Sequence, residues 1–404
     1  MSTLSERILG APAGKYVDRE VDIAFAHDGT GFLAREALRE MGVESLPHPE
    51  RLRLVFDHIV PANTGTTATL QADLREYARR SEIALSDTGG GICHQVMSEG
   101  VVRPGMIVVG ADSHTCTLGA FGAFATGVGA TDMAAIWASG STWFRVPETI
   151  AVNLSGRLPG AVEPKDVALT YVAKLGMEGA TYRALEFVGD GAAGISMDGR
   201  LTLCNMAVET GAKAGIFYAD AVTTRHLAEH GLSSASPQVP EGCRYERTID
   251  INLDDIVPLV AVPHRVDTVR EAEAVAGTHL DQVFVGTCTN GRYEDLARFA
   301  RIVRGRKVAV RTLVAPASRA VLSRAIATGV LADIVDAGCM VATPGCGPCL
   351  GVHAGVLGEG EVCLSTANRN FKNRMGVGGE IYLSSVATAA ASALVGEIVV
   401  PEGA

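Results

Sequence analysis

Three cysteines stand where thiolates could share one inorganic partner. Cys346 and Cys349 frame the stretch Cys346-Gly347-Pro348-Cys349, and Cys288 closes the run Val283-Phe284-Val285-Gly286-Thr287. Read alone, a CxxC is the dithiol of a redox protein, which needs an exposed helix N-terminus to lower one thiol pKa. The residues after Cys349, Leu350-Gly351-Val352-His353-Ala354-Gly355, are weak helix formers and serve that reading poorly. Cys288 and Cys346 each end a run with strand character, and strand C-termini of open α/β sheets converge on one crevice. Three thiolates at one point suit a metal or cluster better than a two-thiol shuttle. No obvious fourth cysteine accompanies them. Structural zinc and electron-transfer [4Fe–4S] sites normally close with four ligands. Three cysteines on four irons leave one iron open as a Lewis acid. The plain alternative is a buried thiol at 288 and a simple turn at 346–349.

Histidines next to acids form a second set. His94-Gln95 is one block, Asp112-Ser113-His114 follows the apolar run Met106–Ala111, and Asp57-His58 ends the run from Leu52. An Asp beside a His can orient and charge it for acid–base work. One such pair is usually a satisfied surface or core histidine; two at strand ends make coincidence a weaker account. The loop Thr366-Ala367-Asn368-Arg369-Asn370-Phe371-Lys372-Asn373-Arg374 carries Arg369, Lys372 and Arg374, a carboxylate clamp or a solvated basic loop. The glycine-rich block from Gly119 to Gly129 reads as close packing or as backbone donors for an anion. Gly189-Asp190-Gly191-Ala192-Ala193-Gly194 matches the dinucleotide fingerprint GxGxxG, with Glu209 downstream. An Asp within the loop would repel a pyrophosphate, and Asp198-Gly199 predicts a turn where a helix is required.

The elements that must position these groups alternate. Strands are expected at Leu52–Ile59, Ile83–Ser86, Met106–Ala111, Thr149–Leu154, Leu185–Val188, Val283–Gly286, Lys307–Val314, Met340–Ala342, Val362–Ser365 and Ile381–Leu383. Helices are expected at Phe32–Met41, Thr67–Arg79, Thr131–Ala138, Lys165–Lys174, Tyr293–Val303, Ser318–Ala327 and Val386–Val395. Such alternation implies βαβ units and an α/β fold with largely parallel sheets. Boundaries at Pro147 and in the proline-rich stretch Pro237–Pro263 divide the chain into 1–147, 148–264 and 265–404, each an ordinary domain size. The net charge of −10 disfavours nucleic acid and anionic membrane surfaces as partners. No apolar stretch is long enough to span a membrane, the N-terminus lacks a signal peptide, and nine cysteines in a large chain argue against a disulfide framework. A cytoplasmic protein is expected.

Together the blocks VFDHIVP, GICHQV, GADSHTCTLGAFGAFATGVGATDMAA, LTLCNMAVETGAKAGI, VGTCTNGR, TPGCGPCLG and STANRNFKNRMG resemble the aconitase superfamily. Within it they look like the large subunits of two-subunit isopropylmalate dehydratases and homoaconitases. The likeness covers nearly the whole chain. It implies three α/β/α domains around a central cluster site, with Cys288, Cys346 and Cys349 ligating one [4Fe–4S] cluster whose fourth iron binds the substrate's hydroxyl and a carboxylate. Asn205 and Asn368 match asparagines near the cluster. Asp57–His58, Asp112–His94 and Glu209–His114 match paired acid/histidine groups, with His58 helping to protonate the leaving hydroxide. Ser113, Arg369 and Arg374 match substrate-contacting positions. The implied reaction is reversible loss and re-addition of water on a small anionic hydroxy acid. The family's base is a serine on a swivelling domain. With the chain ending at Ala404, that domain is expected on a separate small subunit, and the large subunit alone is expected to be inactive. Gly31-Phe32, where aconitase has a polar residue near the substrate, argues against citrate. Isopropylmalate is the first choice by family frequency, with homocitrate and methylmalate-type acids as alternatives. Readings of other kinds are a CGPC redox protein and a non-catalytic cluster-carrying scaffold.

Overall fold

Apolar runs without polar alternation become parallel strands covered on both faces. The computed structural model describes residues 2–233, 238–239 and 242–402, so Pro237 and Pro240 of the expected boundary and the terminal Ala404 lie outside the described residues. The chain divides into two compact units, Met1–Leu154 with Glu178–Ile251, and Ser155–Met177 with Asn252–Ala404.

The first unit begins with α1 (Leu4–Leu9) and a two-stranded antiparallel ribbon of β1 (Tyr16–Glu20) with a later strand, β7. Its main sheet is built from β2 (Ile23–His27), β3 (Leu52–Val55), β4 (Ala84–Ser86), β5 (Ile107–Gly110) and β6 (Phe124–Gly127). The helices between them are α2 (Asp28–Glu40), α3 (Gly65–Arg80) and α4 (Cys93–Ser98), and α5 (Ala130–Ser139) follows β6, before β7 (Ser141–Arg145). The order is β4-β3-β2-β5-β6 and every pairing is parallel. Ile23–His27, buried along its length, is the central strand that the sequence reading does not name. The expected strand Leu52–Ile59 stops at Val55. Beyond it the N–H groups of His58 and Ile59 donate to the Asp28 carboxylate, at 3.1 and 3.0 Å, rather than to a neighbouring strand.

A second sheet of this unit has the order β10-β9-β8-β11, from β8 (Thr149–Ser155), β9 (Ala184–Val188), β10 (Ala214–Phe217) and β11 (Arg247–Asn252). After β8 comes α6 (Pro164–Leu175), which belongs to the second unit. Then follow α7 (Asp190–Ala193), α8 (Met197–Met206) and α9 (Ala221–Glu229). The Asp198-Gly199 pair, expected to form a turn, lies in the first turn of α8. The Ser196 side chain caps that helix by accepting from the Gly199 N–H. The glycine-rich block resolves into close packing. Residues Ser113–Phe121 form a 3₁₀ helix, and a Cβ on Gly119 would stand 1.9 Å from the carbonyl oxygen of Gly215 in β10.

The second unit holds a seven-stranded sheet of order β13-β12-β18-β17-β14-β15-β16. Its strands are β12 (Leu259–Ala261), β13 (Val269–Glu271), β14 (Gln282–Val285), β15 (Arg311–Val314), β16 (Met340–Val341), β17 (Val362–Ser365) and β18 (Glu380–Ser384). The five from β18 to β16 run parallel, while β12 pairs antiparallel with β18 and β13. The helices are α6, α10 (Thr287–Asn290), α11 (Tyr293–Val303), α12 (Arg319–Ala327), α13 (Val330–Asp336) and α14 (Val386–Val395). The expected strand Lys307–Val314 begins only at Arg311. Val308 and Ala309 instead donate to the carbonyls of Ala337 and Ala393 at neighbouring helix ends. Phe299, Val283, Val314 and Leu364 lie in the apolar core between sheet and helices. No described helix is long and apolar enough to cross a membrane.

Candidate active site

Ligands of open parallel sheets bind beyond the strand C-termini, where chain order reverses. In the first unit that point lies between β2 and β5, since β3 and β4 add to one side of the sheet and β6 to the other. His27 ends β2, Asp57 and His58 follow β3, His94 opens α4 after β4, and Asp112, Ser113 and His114 follow β5.

Asp57 is fully buried and does two things. Its Oδ1 lies 2.6 Å from His58 Nδ1, and its Oδ2 accepts from the Cys93 N–H at 2.7 Å, which fixes the start of the helix carrying His94. An ionised carboxylate only accepts, so His58 Nδ1 carries the hydrogen. Asp112 is the hub. Its carboxylate lies 3.2 Å from His94 Nε2, 3.7 Å from His58 Nε2 and 3.8 Å from His114 Nδ1, and it accepts from the His114 N–H at 2.8 Å. Burial alone would raise its pKa. The charge and hydrogen bond of His94, then the charges of His114 and His58, outweigh burial and hold the carboxyl well below the usual range. Glu209 Oε1 lies 2.8 Å from His114 Nε2, and the Ser113 hydroxyl is 3.3 Å from His114 Nδ1. Asn205 donates to Thr117 Oγ1 at 2.8 Å, one turn along the same 3₁₀ helix.

Two members escape the sequence reading. The His27 ring stacks on His58, with centroids 3.7 Å apart and planes at 16°. Asp28 accepts from the N–H groups of His58 and Ile59 and from Gln71 Nε2. Burial opposes ionisation of Asp28, but the His27 hydrogen bond, the His58 charge and the Ile59 N–H prevail and lower its pKa. The only local signal was a His-Asp pair closing an apolar run.

In the second unit the order reverses between β14 and β17. Cys288 follows β14, the Cys346–Cys349 turn follows β16, and Asn368 and Arg369 follow β17. Asn368 Nδ2 lies 3.5 Å from Cys288 Sγ, and an Arg374 guanidinium nitrogen lies 3.7 Å from Cys349 Sγ. Although β15 separates β14 from β16, a Cβ on Gly347 would meet Phe284 of β14 at 3.5 Å, so the CGPC turn leans back over the Cys288 strand. Thr287, just before Cys288, has φ +73°, a strained setting for a β-branched residue. The Arg292 guanidinium, buried beneath this loop, donates to the carbonyls of Thr289 and Cys288. Arg369 is half-buried in its loop, Lys372 is exposed, and Arg374 packs over Phe371.

The three thiols are sheltered from solvent. Cys288, Cys346 and Cys349 are only 8%, 8% and 7% exposed, and no cysteine is in a disulfide. Among the described residues, the group of potential ligand atoms lying within 4.8 Å of one another is His27, Asp28, Asp57 and His58, not the cysteines. Buried thiols with an amide donor on Cys288 Sγ and a guanidinium donor on Cys349 Sγ form a donor set that could hold an iron–sulfur cluster.

A match to the Aconitase family (aconitate hydratase) spans residues 6–396. A probable methanogen homoaconitase large subunit of Methanosarcina mazei is 53% identical, over 95% of this chain and 98% of that one. A 3-isopropylmalate dehydratase large subunit of Archaeoglobus fulgidus and a homoaconitase large subunit of Thermus thermophilus are each 47% identical, over 99% of this chain and 98% and 97% of theirs. The crystal structure of Thermococcus kodakaraensis aconitase X shares the fold, with a TM-score of 0.54 at 12% identity over 90% of this chain and 86% of that one. A chain so matched, with acid–histidine pairs at one sheet's reversal point and three thiols around the other's, belongs to the aconitase family.

Proposed function

We propose that this chain is the large subunit of an iron–sulfur hydro-lyase that isomerises a hydroxy di- or tricarboxylic acid by dehydration and rehydration. The observation that carries the reading is the Asp112 carboxylate within 4 Å of three histidines, one of which, His114, also pairs with Glu209. Such an arrangement stores and moves protons rather than electrons. Cys288, Cys346 and Cys349 would hold one [4Fe–4S] cluster per subunit, which supplies a Lewis-acidic iron for the substrate's hydroxyl and a carboxylate. Asp57 orients His58 by its Nδ1, so that Nε2 faces Asp112, and His58 protonates the departing hydroxide. Asp112 keeps His94 oriented, and Glu209 does the same for His114. Ser113, Arg369 and Arg374 take the substrate's carboxylates, where guanidinium geometry allows paired hydrogen bonds. Asn205 and Asn368 line the cluster's surroundings.

The base for C–H abstraction lies on a small swivel-domain subunit, in keeping with the large-subunit names of the relatives. The protein acts in the cytoplasm. The substrate is 2-isopropylmalate, converted to 3-isopropylmalate in leucine biosynthesis. A homoaconitase is the second reading, favoured by the name of the 53% identical relative. Anaerobic reconstitution with iron and sulfide, addition of the small subunit and assay on a panel of isopropylmalate, homocitrate, methylmalate and citrate tests the proposal. Activity is expected only with the partner present. Full cluster loading without dehydration of any of these acids by the pair would leave a cluster-carrying scaffold instead.

A further inference from the structure

Lys165, in the first turn of α6, is completely buried, an unusual place for a lysine. Its Nζ donates to the carbonyls of Thr366 at 2.8 Å and Ala367 at 2.7 Å. Those carbonyls lie where β17 ends and the loop carrying Asn368 and Arg369 begins. Thr366 Oγ1 in turn accepts from the Gly286 N–H at 3.0 Å, two residues before Cys288, and Asn368 Nδ2 reaches Cys288 Sγ. One ammonium therefore anchors the loop that meets the first cysteine.

The charges facing it are Asp166, Asp295, Cys288 and Cys349. Burial pulls the Lys165 pKa down, and these four groups oppose it, leaving it at about 7. The Asp166 carboxylate is also engaged by the N–H groups of Leu259 and Glu163, and Asp295 by Asn290 Nδ2 and the Arg292 N–H. Cys288 and Cys349 act on the ammonium as well as the two acids.

We propose that Lys165 is a positioning residue for the cysteine set: its ammonium fixes the Thr366–Ala367 carbonyls, so holding Asn368 and Arg369 in place, and, when protonated, it sets a positive charge that acts on Cys288 and Cys349. A buried positive charge beside thiolate-bound iron favours the state carrying one more electron. The charge half of this inference rests on the reading that the three thiols hold a cluster.

The test compares wild type with Lys165→Met, Lys165→Gln and Lys165→Arg in the full chain. Amide exchange of residues 366–370 is followed in the cluster-free protein, and the cluster's reduction potential is measured after reconstitution. Lys165→Met and Lys165→Gln are expected to speed exchange by about tenfold or more and to move the potential to more negative values. Lys165→Arg keeps the charge and is expected to retain a potential near wild type. Should Lys165→Met not fold, Lys165→Gln, which keeps a donor but no charge, decides. Wild-type exchange and potential in the neutral variants would overturn the inference. Faster exchange at an unchanged potential would overturn its charge half and leave only a loop anchor. A wild-type chain that takes up no iron and sulfide would instead sink the cluster reading, with the exchange comparison still judging the anchor.

Discussion

Glu209 Oε1 lies 2.8 Å from His114 Nε2, across 95 residues of sequence. Both side chains are nearly excluded from water, at 5% and 7% exposure. The carboxylate can only accept, so it fixes the hydrogen on Nε2 and leaves Nδ1 to accept from the Ser113 hydroxyl. Glu209→Gln keeps the shape and removes the charge. Turnover by the reconstituted pair of subunits is expected to fall by roughly 10²–10⁴-fold, with KM changed much less. Unaltered kcat in a folded variant would remove this pair from the chemistry.

Asp112 supplies negative charge to three imidazoles at once. Its replacement in Asp112→Asn withdraws what favours their cationic forms. The histidine pKa values are therefore expected to drop, most for the nearest, His94. Where activity needs a protonated imidazole, the alkaline limb of the pH–rate profile moves to lower pH. Histidine titrations by NMR, with and without the substitution, measure the shift directly; a rise instead of a fall would contradict the assigned hub.

The cysteines should not be equivalent. Cys288→Ser removes a ligand of the proposed cluster, and iron and sulfide bound after anaerobic reconstitution are expected to fall to a small fraction of wild type. Cys339→Ala serves as the control. Burial pushes that thiol up to about 11, so it is a poor metal ligand at neutral pH, and its loss should leave iron content intact. Equal loss in both variants would point to general destabilisation.

Glu163 offers a stability test away from the proton chemistry. Its Oε2 accepts from the Ala387 N–H at 2.8 Å. Burial pushes its pKa up; the Ala387 N–H opposes this, the Asp166 charge adds to it, and the result is about 7. An acid whose folded pKa exceeds its unfolded value binds its proton more tightly when folded. Its stabilising contribution is thus complete below about pH 4.5 and is lost as pH rises to about 7, a change on the order of 1–3 kcal/mol. Urea unfolding of wild type across this window should show the decline, and Glu163→Gln should reduce it, with Asp166, also raised to about 7 by burial, supplying the remainder. Identical pH dependence in the two would refute the assignment.

Local sequence carried the residue types and most strand ends, because apolar runs and their polar terminators are short-range signals. It predicted the boundaries of Tyr293–Val303 and Val362–Ser365 as the structure has them. It missed β2, whose five residues are too few to separate strand from helix by periodicity, and with it His27 and Asp28. The predicted turn at Asp198-Gly199 gave way to helix because a serine cap and burial outweighed turn propensity.

The sequence by itself determined that thiols, imidazoles, carboxylates and guanidiniums stand at strand ends, and its block order pointed to the family. Adjacency suggested Asp112 for His114. The family resemblance implied Asp112–His94 and Glu209–His114 instead, and the tertiary structure brings His94 nearest to Asp112 among the imidazoles and Glu209 onto His114. The tertiary structure also decided that Lys165, with no local mark of importance, anchors the loop whose Asn368 meets Cys288. The reason is physical: strand order, and with it which loops meet at a reversal point, is set by packing between distant segments. The burial that shifts a proton or charge equilibrium is a property of the assembled surroundings and not of neighbours along the chain.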